Sequence, residues 1–330
     1  MLKFGIIGTS WITEAYVDGA LDSGLWELTA IYSRTRERGA AFGEKYKVDK
    51  VFTDLDEMAA SSDIDAVYIA SPNYLHTSHA MKFIAAGKHV ICEKPLASHA
   101  REVLELQKAA EKNNVIYLEA IMFMHLPARK LLDEAVQKIG PVSMAKFDFC
   151  QRSSKLDQYL EGEIPNIFNP EMEAGALMDL GIYCIYPAVY LFGEPEGCDI
   201  SVTMLDTGVD GSGAVTMKYS DKLVTIPYSK VGQAGADSDI QGTLGTISIA
   251  SISKLGYMKI TYADGRTEDI CGEEPKFKLM GYEAKDFYRF IAYREETAEE
   301  YARCAELSLQ VTKLLEELRK KAGIIFPSDK

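Results

Sequence analysis

The stretch from Ile64 to Leu96 constrains this chain more than any other. Two short apolar runs, Ala66–Ala70 and His89–Cys92, flank an amphipathic segment, Tyr74–Ala86, and Gly87 stands where a helix should stop. Strand, helix and strand in that order form a βαβ unit, and such a unit requires parallel strands. Each run ends in polar residues and a proline: Ser71-Pro72-Asn73 and Glu93-Lys94-Pro95. Open α/β sheets bind ligands beyond the carboxyl ends of their strands. Asn73 and Lys94 are therefore expected to face one crevice, with a cofactor on one side and a substrate on the other. The Lys94-Pro95 bond is a candidate cis peptide, because X-Pro bonds tolerate that form where the chain must turn sharply.

Leu2–Gly8 reads as a strand running into a turn, and Thr9-Ser10-Trp11-Ile12-Thr13 opens a helix that continues to about Asp22. Gly8 allows the tight bend, and the helix N-terminus can hold a pyrophosphate. Thr9, Ser10, Trp11 and Ile12 are the candidate cofactor contacts there. The fingerprint G-x-G-x-x-G is degraded, with Ser10 at the second glycine and Thr13 at the third. A generic strand–turn–helix has the same local pattern. Its place as the first βα turn, with βαβ units following, supports the dinucleotide reading. The second strand, Leu28–Tyr32, ends in Ser33-Arg34-Thr35-Arg36-Glu37-Arg38. An acidic residue there would bind the ribose 2′-hydroxyl of NAD, whereas Ser33, Arg34 and Arg38 suit the 2′-phosphate of NADP. The bland alternative is a solvated basic helix start. NADP is expected in preference to NAD.

The alternation of strand and helix persists through a helix capped by Ser98 and a strand, Val115–Phe123, that carries Glu119. It stops after the helix His125–Ile139 and the break at Gly140-Pro141. Val142–Cys150 alternates as a strand, and Asp199–Cys271 reads as strand after strand. Ser220-Asp221 and Asp264-Gly265 look like two-residue hairpin turns, the second of type I′. Pro227 within Leu223–Val231 suggests an edge or a bulge. Helices at about Tyr282–Arg294 and Thr297–Ala322 close the chain. The expected fold is α/β plus α+β: a Rossmann parallel sheet over 1–122 for the cofactor, then a domain over 123–330 with an open-faced, mostly antiparallel sheet for substrate and oligomerisation. In that sheet Val224, Ile226 and Tyr228 alternate with Leu223, Thr225 and Pro227. With helices enough for one face only, the other is expected to pair with a second copy, giving a homodimer or larger.

Between the second domain's first strands lies a largely apolar segment that is helical from Gly175. Asp179 and Tyr183 are four apart, so an α-helix sets them on one face. A buried carboxylate is costly unless paired. The pair is therefore either structural or an acid/base pair directed at the crevice of Lys94.

Taken together these residues resemble the Gfo/Idh/MocA oxidoreductase family, closest to its dimeric dihydrodiol dehydrogenase and glucose-fructose oxidoreductase branch. The matching segments are Gly5-Ile-Ile-Gly-Thr-Ser-Trp-Ile, Ala70-Ser-Pro-Asn-x-x-His76, Ala86-Gly-Lys-His-Val-Ile-Cys-Glu-Lys-Pro95, Glu119-Ala120 and Gly175-Ala-Leu-Met-Asp-x-Gly-x-Tyr183. The resemblance implies a nicotinamide cofactor and hydride transfer at a secondary alcohol or carbonyl of a sugar, polyol or dihydrodiol. By position it implies Lys94 as the catalytic or orienting lysine, Asp179 as its partner and Tyr183 as proton donor. Ser71, Pro72, Asn73, His76, Glu93 and Glu119 would line the cofactor side. The chain departs from the pattern at Ser10 and Thr13, at Met124 and Asn166, where relatives often have arginine, and at Glu173-Ala174, which replace two glycines. Two other functions fit the same residues: a nicotinamide-dependent glycosidase or lyase without net redox, and a non-catalytic NAD(P)-binding regulator.

Composition narrows the partners. Thirty-six Lys and Arg against 49 Asp and Glu give a net charge of -13, which argues against nucleic acid. Six cysteines without CxxC spacing are expected to be reduced, implying a cytoplasmic setting. No apolar run is expected to span a membrane, and a strand starting at Leu2 leaves no room for a signal peptide. His76 and His79 are three apart, but no third metal ligand stands nearby in sequence. No metal is expected, and the substrate should be a small, carbohydrate-like molecule.

Overall fold

The computed structural model describes all 330 residues. They form two compact units, Met1–Met122 with Pro275–Leu309, and Phe123–Glu274 with Gln310–Lys330.

The first unit is built on β1 (Leu2–Ile7), β2 (Trp26–Tyr32), β3 (Val51–Phe52), β4 (Ala66–Ile69), β5 (His89–Glu93) and β6 (Tyr117–Ala120). Their order is β3-β2-β1-β4-β5-β6, and every neighbouring pair is parallel. This is the doubly wound arrangement, with its reversal between β1 and β4. Helices α1 (Trp11–Asp22), α2 (Arg36–Tyr46), α3 (Leu55–Ala60), α4 (His76–Ala85) and α5 (Ala100–Lys112) connect the strands. All four residues of β4 are buried, as a parallel strand covered on both faces should be. Val67, Ile69, Phe83, Ile84, Val90, Val103 and Leu106 share one core. His99, not Ser98, stands at the N-cap of α5. β6 is shorter than the apolar run suggests, because Met122–His125 turns into a short helix, α6.

The second unit contains α7 (Ala128–Lys138), β7 (Val142–Lys146), β8 (Phe149–Cys150), α8 (Leu156–Leu160), α9 (Ile182–Phe192) and then β9 (Gly197–Met204), β10 (Asp210–Lys218), β11 (Leu223–Ser229), β12 (Ser238–Gly242), β13 (Gly245–Ser251), β14 (Gly256–Tyr262) and β15 (Thr267–Cys271). The sheet order is β15-β14-β13-β12-β7-β11-β10-β9, with β8 also on β11. Only β7 and β8 run parallel to their partner β11; all other pairs are antiparallel.

Three expectations need correction here. Pro227 lies in a central strand, not an edge. Its neighbour is interrupted: β7 pairs with Leu223–Thr225 and β8 with Tyr228–Ser229, so the residue lacking an N–H faces the gap. The β14–β15 turn is not type I′. Gly265 has φ +89 while Asp264 keeps negative φ, and the Gly265 N–H donates to Tyr262 O at 2.9 Å. That is a three-residue loop closed by a left-handed glycine. The sheet's uncovered face is also less apolar than expected. The π-helical turn Leu177–Gly181 lies on β8, β10 and β11, and α7 packs on β13 and β15. On that covered side Val224, Ile226 and Tyr228 are buried. On the opposite side Asp199, Ser201 and Thr203 are exposed and Leu223 is 43% exposed.

Pro170–Phe192 is, against expectation, long and apolar enough to cross a membrane, yet 72% of its most apolar window is buried inside the protein. It is a core segment, placed so by the sheet it covers.

The chain ends in α10 (Lys276–Ala292) and α11 (Ala298–Lys321). α10 starts earlier than its periodicity suggests, directly after Pro275. It rejoins the first unit by crossing α1 where Gly19 meets Gly281: a Cβ on Gly19 would lie 2.4 Å from Phe277 O and 2.6 Å from the Gly281 nitrogen. Trp26 Nε1–H donates to Ala284 O at 2.8 Å in the same contact.

Candidate active site

At the reversal of the first sheet, β1 hands over to α1 through Gly8. Gly8 has φ +107, and a Cβ there would lie 2.6 Å from Ala70 O at the end of β4. Only glycine allows this approach without strain. Ser10 occupies the N-cap of α1 with extended backbone and makes no side-chain cap bond. The first-turn N–H groups therefore remain available to an outside acceptor, and the helix dipole favours an anion. Trp11, the first helical residue, is 69% exposed, with Lys276 Nζ 6.0 Å from its ring centre. This glycine-lined, donor-rich turn fits a pyrophosphate.

One strand over, Ser33 is buried at the end of β2. Thr35 caps α2 by accepting the Arg38 N–H at 3.5 Å, and Arg34, Arg36 and Arg38 are all exposed around that start. A hydroxyl and three guanidinium groups fit a further phosphate.

The loops after β4 and β5 are tied together by His76. Its ring is 1% exposed; Nδ1 lies 2.8 Å from Pro95 O and Nε2 2.8 Å from Ser71 O. Both partners are acceptors, so a neutral ring can donate to only one at a time. His76 thus shapes both loops, with Asn73 opening the short 3₁₀ turn between them. Burial, then neighbouring His76 and Lys82, push the His79 pKa down to about 4, so His79 is neutral at pH 7. The Lys94-Pro95 bond is cis. Glu119, also buried, accepts the Leu96 N–H at 3.3 Å and so holds the residue after Pro95. Tyr68 O–H donates to Glu93 Oε1 at 2.6 Å, and the Tyr68 ring stacks on Tyr16 at 3.8 Å between centres. Burial pushes the Glu93 carboxyl up, against the opposing pull of the Tyr68 hydrogen bond and of Lys94 and Lys276.

In the second unit Asp179 lies within the π-helical turn and Tyr183 in the first turn of α9. The α-helical four-residue rule does not carry across a π turn, whose bonds run i→i+5. The segment is anchored by Asp210, whose Oδ2 accepts the Leu177 N–H at 2.8 Å. Gly175, with φ +130, makes room for that carboxylate: a Cβ there would lie 2.3 Å from Asp210 Oδ1. Burial raises the Asp210 pKa and the Leu177 N–H opposes it. Tyr183 meets Phe149 edge-on, 5.5 Å between ring centres. Asp179 forms an ion pair with Lys230, a lysine only 3% exposed. Glu173, in place of a glycine, adopts left-handed φ +53.

Lys230, Asp210 and Tyr68 are absent from the sequence expectations. A signal existed for Lys230, because it continues the inward series Val224, Ile226, Tyr228 by two. Nothing local marks Asp210, which acts 33 residues from its partner.

Comparison with known proteins agrees with this geometry. Residues 2–120 match the family model described as the oxidoreductase family with an NAD-binding Rossmann fold, and residues 125–248 match the Gfo/Idh/MocA C-terminal domain. The chain is 43% identical over 329 residues to a scyllo-inositol 2-dehydrogenase (NADP(+)), IolU, of Bacillus subtilis, covering 100% of this chain and 99% of that protein. It is 28% identical over 347 residues to the trans-1,2-dihydrobenzene-1,2-diol dehydrogenase of Mus musculus, covering 100% and 99%. A levoglucosan dehydrogenase solved with NADH and levoglucosan shares the fold at TM-score 0.84 and 20% identity, covering 97% of each chain. The chain belongs to the Gfo/Idh/MocA family of oxidoreductases.

Proposed function

We propose that this protein is an NADP-dependent oxidoreductase acting on a secondary alcohol or carbonyl of a sugar, polyol or dihydrodiol. The observation that carries this is the Gly8 turn packed against Ala70 O beneath an open helix N-terminus, with Ser33 and Arg34 on the next strand. An inositol is the first substrate to test, because it is the substrate named for the Bacillus subtilis relative.

Bound nicotinamide supplies the hydride donor or acceptor. Thr9, Ser10, Trp11 and Ile12 hold the pyrophosphate end, and Ser33, Arg34 and Arg38 the 2′-phosphate. Ser71, Pro72, Asn73, His76, Glu93 and Glu119 shape the loops that present Lys94. Lys94 hydrogen-bonds the reacting oxygen, Tyr183 exchanges its proton, and Asp179 orients the groups around it. Residues 1–122 act as the cofactor domain, completed by the packing of Pro275–Leu309, and the remainder of 123–330 supplies the substrate groups. The open sheet face joins a second copy, and the six free cysteines fit a reducing, cytoplasmic setting.

The test is steady-state turnover of inositols, aldoses and dihydrodiols with NADP and with NAD, followed by absorbance of the reduced cofactor. Turnover with preference for NADP is expected. Tight cofactor binding with product but no net cofactor reduction would transfer the reading to a glycosidase or lyase. Binding without any turnover would make the protein a regulator.

A further inference from the structure

Lys230 is a buried cation in the second unit. Its side chain is 3% exposed, while that of its ion-pair partner Asp179 is 36% exposed. Its Nζ lies 5.9 Å from the ring centre of Phe168, itself fully buried. The backbone on either side is fixed: the Lys230 N–H donates to Gly211 O at 2.8 Å, and its carbonyl accepts the Ser153 N–H at 2.8 Å. The ammonium therefore rises from backbone tied on both sides, one residue past the end of β11, and is paired with a carboxylate that is partly exposed.

Such a pair is an expensive way to gain stability. Well-packed apolar residues of similar size usually serve as well or better, because both charges must leave water. A buried ion pair is better suited to holding a charged group in one place. Here that group sits on a π-helical turn, a rare local geometry that is frequent at functional sites.

We propose that Lys230 is a positioning residue for Asp179: it fixes the carboxylate at the place where Asp179 meets the substrate's hydroxyl groups. The proposal rests on the reading of Asp179 as a substrate-side residue. It gives Asp179 a partner within its own unit, alongside the pairing with Lys94 that the family resemblance implies. Because the ammonium neutralises the carboxylate, the pair offers hydrogen bonds without net charge, which suits an uncharged polyol and disfavours a cationic substrate.

The test is a double-mutant cycle on Lys230→Met, Asp179→Asn and the two combined, with Lys230→Arg as the conservative variant. Three quantities are read for each: kcat/KM for the polyol, NADPH affinity by fluorescence titration, and Tm. Lys230→Met should lose about 10- to 100-fold in kcat/KM, the scale of a displaced reacting group. Its NADPH affinity should stay within about twofold, since Lys230 is on the substrate side. In the Asp179→Asn background Lys230→Met should cost nothing more, and Lys230→Arg should recover part of the loss. The combined variant buries no unpaired charge, so the cycle remains readable if Lys230→Met alone folds poorly. Losses that multiply in the combined variant, or a lower Tm with unchanged kcat/KM, would overturn the proposal. Wild-type protein that binds no NADPH would instead overturn the functional reading on which it rests.

Discussion

Glu283 shows at the level of one residue how much the surroundings decide. It is 1% exposed, and neither carboxyl oxygen has a hydrogen-bond partner. Burial, then the nearby Glu93, raise its pKa well above the ordinary value, and Lys276 opposes them. The folded protein therefore keeps this proton above ~4.3, where the unfolded chain releases it. Where the folded state binds more protons, stability falls as pH rises, until the folded pKa is passed. Glu283→Gln removes that titration while keeping the shape. The variant's gain in Tm over wild type should be larger at pH 8 than at pH 5, as differential scanning calorimetry can show. An equal difference at both pH values would mean that Glu283 is charged in the fold. Tyr183 poses a different question. Tyr183→Phe keeps the ring packed on Phe149 but removes the hydroxyl. A loss of roughly 100-fold or more in kcat is expected, the scale of a general acid, with NADPH affinity within a few-fold. A variant that stays active but melts earlier would make the hydroxyl structural.

At the scale of elements, the segment from Gly175 to Phe192 carries Asp179 and Tyr183, the proposed substrate-side groups, and its anchor is Asp210. Asp210→Ala removes the acceptor of the Leu177 N–H, a loss worth about 1 kcal/mol at a helix start. Both Tm and kcat/KM should fall, whereas Asp210→Asn, which keeps an acceptor, should lose less of each. Equal losses in the two variants would point to the charge rather than to the cap. This segment also marks where sequence reasoning stops. The parallel strands were readable because short β-branched runs alternate with amphipathic helices, and Gly8, Ser33, Arg34 and Lys94 follow from their places at strand ends. The π turn was not readable, because no residue type specifies it and the apolar pattern around Asp179 is the same either way. Pro227 misled because a proline usually excludes a central strand, and only the break between β7 and β8 makes room for it. Asp210 reaches Asp179's segment from a strand 33 residues away and leaves no local trace, whereas Lys230 was legible only as the next inward position after Tyr228, with nothing to mark its partner.

For the molecule as a whole, an antiparallel sheet with helices on one side leaves its other side to solvent or to a second copy. That side is richer in serine and threonine than the alternation of β11 suggested, yet it is broad and holds Leu223 at 43% exposure. A broad sheet face can pair through polar contacts as well as apolar ones. Light scattering at micromolar concentration should report a dimer or larger; a monomeric mass would leave the face solvated. The net charge of -13 makes the cationic start of α2 a local exception, where an anionic cofactor is attracted against the field of the rest of the protein. In the proposed reaction hydride passes directly between a substrate carbon and a nicotinamide held by this chain. The most direct measurement uses a polyol deuterated at its carbinol carbons, incubated with NADP and the enzyme, with both products analysed by mass spectrometry. Deuterium is expected in the nicotinamide of NADPH, in step with the ketone formed. Product formed with no deuterium in the cofactor would contradict direct transfer.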